Sequence, residues 1–342
     1  VRALDGNGQG TYLDVIAAVD WVVAPQYDYN IKVLNMSLSA PPRSHYWEDP
    51  LNQAVMAAWQ AGIGVVASAG NTGPVAQSIG VPGNVPYVIT VGAVSNAYTT
   101  ADSGADFLAS FSSVGPTYEG FVKPEVVAPG GHVLGWMPPH GSIPQAHPEF
   151  MDAGQEYFTM SGTSQAAGVV SGVVALMLQN DPNISPDDVK CRIMKSARPA
   201  TITTGKGGNK TTSLAYSVFQ QGAGLTNAYD AVNSAESGCA NIGLDINADV
   251  AGTMHFGGRA NQDANGNFYV MSPDTGTGGN SSGSDHIWDG QLSSGGYLWT
   301  DGYLWTDAYL WTDGYLWTDG IGVDGYLWTD GYLWTDGYLW TD

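Results

Sequence analysis

Basic side chains are scarce in this chain, and they stop early. Of 342 residues, 11 are Lys or Arg against 32 Asp or Glu, for a formal net charge of −21. All 11 stand at or before Arg259, and the residues beyond it carry twelve Asp and no base. More than half of the net charge therefore belongs to the C-terminal part. Such a surface repels phosphate backbones and anionic headgroups, which argues against nucleic acid and anionic lipid as partners. No 18 consecutive residues are all apolar, so no membrane span is expected. Two cysteines, Cys191 and Cys239, allow at most one bridge. Either they pair in an oxidising compartment and pin the last helix of the folded region, or they remain two thiols; sequence separation does not decide between these. Charged residues make up 13% of the chain and hydrophobic ones 43%, a balance that can bury one large core.

The most informative stretch that is present runs Met160-Ser161-Gly162-Thr163-Ser164-Gln165-Ala166-Ala167-Gly168-Val169-Val170-Ser171-Gly172. A serine follows a tight Gly-Thr turn and opens a run of small residues that meets no charge until Asp181. A side chain in the first turn of a buried helix is held rigidly. It also sits at the positive end of the helix dipole, where negative charge is stabilised by roughly 0.3–1 kcal/mol. That position suits a nucleophilic hydroxyl whose reaction builds an oxyanion. The stretch resembles the active-serine segment of the subtilisin-like serine proteases, the subtilases, and on that resemblance Ser164 is the nucleophile. Val65-Val66-Ala67-Ser68-Ala69-Gly70-Asn71 is similar to the strand and turn that present the family's oxyanion-hole asparagine, which gives Asn71 that role. Val33 to Leu38, Pro82-Gly83, Val91 to Val94, Ala109 to Gly115, Lys123 to Gly130 and Gly222 to Asn227 follow in subtilase order.

The likeness covers residues 1 to about 236. It implies a secreted endopeptidase that cleaves polypeptides through an acyl-enzyme. It also implies a three-layer α/β fold with a mostly parallel, doubly wound sheet. Ser37, Leu38 and Ser39 match the segment that pairs with an extended peptide. Ala67, Ser68 and Ala69 match the opposite wall of the first specificity pocket, with room for a sizeable apolar side chain. The family admits bound calcium, but no residues here fix a metal site, and no other cofactor is expected. Where the family has Met, Pro and His after the serine, this chain has Gln165, Gly168 and Val169. Those departures leave open a protein that has drifted from catalysis.

A subtilase triad also needs a histidine base and an aspartate that fixes its tautomer. Neither motif occurs. Val1-Arg2-Ala3-Leu4-Asp5, followed by Gly6 to Gly10, resembles the segment lying after the catalytic histidine. The resemblance therefore puts both triad elements, and any secretory leader, before residue 1. None of His45, His132, His140, His147, His255 and His286 stands beside a helix-opening Gly-Thr, so none is expected to be the base. Asp102-Ser103-Gly104 and Asp274-Thr275-Gly276 read as turns. By the family's strand order, the aspartate-bearing strand lies between a strand at Val1–Leu4 and one at Ile31–Leu38. Its absence would open a gap of roughly 9–10 Å. Either an N-terminal segment carrying the Asp and His binds non-covalently, or the sheet order is rearranged.

Hydrophobic spacing supports alternating helices and strands. Tyr12–Val23 reads as a helix opening after Thr11, and Asp49-Pro50 starts a second helix that Gly62 stops. Ile63–Ala67 and Val88–Val94 read as buried parallel strands. Ser164–Gln179 is the expected central helix, and Ser185-Pro186-Asp187-Asp188 caps the next one. Leu38 and Asn71 fall at strand carboxyl ends, where such sheets bind ligands.

Composition divides the chain into a subtilase-like region, 1–236, a Gly/Asn/Ser-rich linker, 237–295, and a repeat tail, 296–342. Asn261, Asp263, Asn265 and Gly266 resemble a calcium loop, yet Ser272 stands where a bidentate Glu belongs, which favours a hairpin between Ala260 and Val270. Thr275–Ser284 reads as flexible linker. Tyr-Leu-Trp-Thr-Asp then occurs seven times, from Tyr297 to Asp342, with one five-residue interruption at Gly320–Asp324. A period of six suits one extended strand, or short strands turned at each Asp-Gly. Aromatic surface of this density implies self-association through 296–342, with a disordered anchor or a carbohydrate-binding strip as alternatives. A second function follows: a catalytically inactive structural protein, derived from a subtilase, that assembles into a filament or a layer at the cell surface.

Overall fold

The computed structural model describes residues 1–5, 10–95, 107–204, 211–263 and 265–270. The repeats of 296–342, the linker Thr275–Ser284, both Asp-x-Gly strings and His286 lie outside the described residues. In chain order the elements are α1 (Tyr12–Val23), β1 (Val33–Met36), α2 (Pro50–Gln60), β2 (Gly64–Ser68), β3 (Ile89–Ser95), β4 (Phe107–Leu108) and β5 (Val126–Pro129). There follow β6 (Val133–Trp136), α3 (Ser142–Ala146), β7 (Tyr157–Met160), α4 (Thr163–Asn180) and α5 (Pro186–Ser196). The last are β8 (Thr201–Thr204), β9 (Thr211–Leu214), α6 (Val218–Gln221), α7 (Ala228–Asn233), α8 (Ile246–Val250), β10 (Ala260–Gln262) and β11 (Phe268–Val270).

Helix starts follow from local side-chain chemistry. Thr11 and Asp14 satisfy each other's backbone donors at the start of α1, at 2.8 and 3.2 Å. Asp49 accepts from Leu51 N and Asn52 N ahead of Pro50, and Gly62, at φ +88°, ends the helix. Burial pushes the Asp49 carboxyl up to about 6, against the pull of the hydrogen bonds it accepts. Ser185 caps α5 with Pro186 in its first turn.

β1, β2 and β3 run parallel, β5 joins β3 in parallel, and short β4 pairs β3 antiparallel. Both faces of the sheet are covered. A Cβ built on Gly64 would lie 3.6 Å from Val174 of α4, so Val66 shares that face while Val65 and Ala67 point the opposite way. Val65, Val66 and Ala67 are all fully buried. α4 packs along β1, β2, β3 and β5, and α2 packs on β2 with α1 and α8 outside it. The result is the expected three-layer, mostly parallel α/β fold.

Two expectations are corrected. Val1–Leu4 forms no strand, and Ala3 and Leu4 are only half-buried. A strand needs a neighbour for its backbone groups, and none stands beside this segment among the described residues. β1 is accordingly an edge, with β2 its one neighbour among the described residues, Leu34 half-buried and Asn35 exposed. Beside that edge, α4 turns out an apolar stripe that includes Val169 and Leu176, 38% and 51% exposed.

The second correction concerns 237–270, read as linker from its composition. It is folded onto the domain. Cys191 and Cys239 are bridged, with Cα atoms 5.1 Å apart. Asp249 of α8 is buried and accepts from the Tyr46 and Tyr87 hydroxyls at 2.6 and 3.0 Å. Trp47 lies between two imidazoles, stacked on His45 at 4.3 Å and on His255 at 4.5 Å. β10 and β11 form the hairpin, pairing Ala260 with Val270. Apolar residues here are too sparse to show a period, and polar groups with buried partners carry much of the docking.

Candidate active site

The parallel strands deliver three chain segments to one end of the sheet. β1 runs out into Ser37–Ser39, β2 runs out into Ala69–Asn71, and α4 begins beside both. The turn into α4 is fixed from behind. Gly162 N–H donates to Gly130 O at 2.7 Å and Ser161 Oγ accepts from His132 N–H at 2.8 Å. Gly130 has no alternative there, because a Cβ would lie 2.7 Å from Gly162 O and from Ala93 Cβ.

Gly162 offers no side chain to cap α4. Asn71 does so from another segment: its Oδ1 accepts from Thr163 N–H at 2.9 Å and from Thr163 Oγ1 at 3.0 Å. The same Thr163 hydroxyl accepts from Gly70 N–H at 3.2 Å. With its oxygen end tied down, Asn71 can offer an anion only its Nδ2 end, which is the geometry an oxyanion donor requires. Ser164 occupies the first turn of α4, an 18-residue helix, and its Oγ donates to Ser37 O at 3.3 Å. Ser37 Oγ in turn donates to Ser164 O at 2.8 Å, locking β1's extension to the helix start.

Ser164 and Asn71 are 6% and 7% exposed, and both line one open pocket of about 230 Å³. Ser39, Ala40, Pro41, Pro42, Ser68, Gly70, Gly80 and Tyr118 share that lining. Ser37 and Leu38 stand behind it, Ser68 Oγ donating to Leu38 O at 3.0 Å. Ala67 and Ala69 are fully buried in the core and do not reach the pocket. Thr163, Pro41, Pro42 and Tyr118 were missed from the sequence. The Ala40-Pro41-Pro42 string was the one local signal, since prolines after a strand end stiffen the wall of a cleft.

No histidine or carboxylate stands among the residues lining this pocket. The described imidazoles have other settings. His45 faces Glu119 at 3.2 Å, His132 faces Ser95 Oγ at 3.3 Å, His147 faces Glu149 at 3.2 Å, and His255 faces Asp249 at 2.7 Å. Among the described residues no group of three or more His, Cys, Asp or Glu is placed to hold a metal.

The profile of the subtilase family matches residues 1–225. The chain belongs to that family. This subtilase is 43% identical over 197 residues to the serine protease AprX of Bacillus subtilis (strain 168), a match covering 56% of this chain and 44% of AprX. It is 34% identical over 199 residues to subtilisin DY of Bacillus licheniformis, covering 58% of this chain and 59% of that one. Among solved structures it is similar to the prenylagaramide maturation protease PagA, at 25% identity and a TM-score of 0.45, over 64% of this chain and 66% of that one. The chain thus spans about half the length of the curated relatives it matches.

Proposed function

We propose that this subtilase is the serine-bearing part of an endopeptidase that cleaves polypeptides through an acyl-enzyme. The observation that carries the reading is that Ser164 and Asn71 line the same open pocket, at the end of the sheet and the start of α4. In this reading Ser164 Oγ attacks the scissile carbonyl and Asn71 Nδ2 receives the developing oxyanion. The substrate backbone pairs with Ser37–Ser39, and its side chain enters past Ser68. The histidine and aspartate come from an N-terminal segment that adds to the free edge of β1, against the exposed Val169 and Leu176 of α4. The bridged Cys191–Cys239 pair supports an extracellular setting. The aromatic repeats are the element proposed for self-association.

A fluorophosphonate probe tests the site. Labelling of Ser164, abolished in Ser164→Ala, is expected in material that includes the complementary segment, and mass spectrometry of that material should show a second polypeptide. A natively folded sample that holds that segment and leaves Ser164 unlabelled would sink the proposal.

A further inference from the structure

We propose that Tyr118 is a specificity-determining residue of the Ser164 pocket, and that with the Ser39 hydroxyl it restricts the pocket to uncharged, flat apolar side chains on the residue before the cut bond. This rests on the peptidase reading of the site. Three observations lead to it.

The first is chemical. None of the residues lining the pocket carries a charge. A charged substrate side chain would enter without a partner, at a desolvation cost that a neutral one avoids. Tyr118, Pro41 and Pro42 supply the ring and the stiff apolar surface of the wall, a setting that favours a second ring stacked or set edge-on.

The second is depth. A Cβ built on Gly80 would lie 1.9 Å from Ser39 Oγ, and one on Gly70 would lie 3.0 Å from the same atom. The Ser39 hydroxyl therefore rests against both glycines and fills space that a glycine at position 39 would leave empty.

The third is rigidity. Tyr118 sits on a turn closed by Thr117 N–H to Phe121 O and Gly120 N–H to Thr117 O, both 3.0 Å. The residues after it are clamped by the C-terminal segment: Glu119 O accepts from Gly258 N–H at 2.6 Å and Gly120 O accepts from Ala260 N–H at 2.9 Å. Glu119 Oε1 also accepts from Tyr46 N–H at 3.2 Å. With its neighbours held on both sides, the Tyr118 backbone cannot swing away to admit a larger or differently shaped group. Segment 256–260 thereby positions a wall of the pocket.

The test uses the full chain and three tetrapeptides that differ only in a C-terminal Phe, Ala or Lys, titrated by NMR. The wild type is expected to bind the Phe peptide about tenfold more tightly than the others, and Tyr118→Ala to remove that preference while leaving the Ala peptide nearly unchanged. Tyr118→Phe keeps the ring and should keep the ranking. Ser39→Gly should improve binding of a Trp-ended peptide relative to the Phe one. If Tyr118→Ala does not fold, Tyr118→Leu replaces it, with the preference for Phe reduced. An unchanged ranking in folded Tyr118→Ala or Tyr118→Leu overturns the inference. So does wild type that takes the fluorophosphonate on Ser164 yet binds all three peptides alike. A wild type that neither labels nor binds, with the complementary segment present, overturns the peptidase reading as well.

Discussion

Thr163 Oγ1 donates to Asn71 Oδ1 and accepts from Gly70 N–H, so one hydroxyl sets both the amide and the turn that carries it. Asn71→Ala should slow fluorophosphonate labelling of Ser164 about 100–1000-fold, whereas Thr163→Val should cost about tenfold by loosening the amide. Labelling rates at a fixed probe concentration check both. Ser164 and Asn71 were legible because each stands in a long local pattern. Thr163 was not, because its importance lies in a contact across 92 residues. The same holds for Lys123, whose ammonium lies 2.7 Å from Glu125, with Lys190 2.8 Å from the same oxygen. Burial pushes Lys123 down to about 7, although Glu125 opposes the shift. A depressed lysine binds its proton less well folded than unfolded, so unfolding takes up a proton between pH 7 and the ordinary lysine range. Stability should therefore gain from this group as pH rises from 7 to 9, and lose that gain as pH falls through 7. Urea midpoints across that range should show the wild type improving relative to Lys123→Met, which leaves Glu125 paired with Lys190.

Helix caps could be read from sequence because they join a side chain to backbone within a few residues: Thr11 with Asp14, Asp49 with Leu51 and Asn52, Ser185 with Asp188. Strand identity is not local in that way. Val33–Met36 forms a strand because β2 lies beside it, and Val1–Leu4 does not because no described strand does. The Gly- and Asn-rich 237–270 was equally opaque, since its contacts with α2, α5 and the 117–121 turn come from distant sequence. The bridge between α5 and this segment closes a separation of 48 residues, worth about 4 kcal/mol in the chain-entropy account. Cys191→Ser together with Cys239→Ser should lower the thermal midpoint by several degrees, read by calorimetry. An unaltered midpoint would mean that the non-covalent contacts of 237–270 suffice by themselves.

Charge is spread unevenly over the whole chain, with every base before residue 260 and the aromatic repeats beyond 296 bearing only acids. If the repeats drive self-association, removing 296–342 should convert large species to a single small one in sedimentation. Added salt should favour the large species of the full chain by screening Asp–Asp repulsion. The folded part, by contrast, is joined at its two ends by aromatic rings. Trp47 stands face to face with His45 on one side and His255 on the other, the ring planes within 10°. Indole emission is sensitive to an imidazole at such contact, because the excited ring can pass charge to it. Trp47 is thus a built-in optical reporter: with the remaining tryptophans replaced, its brightness would signal the instant at which the last folded segment peels from the body, before any other part of the chain has opened.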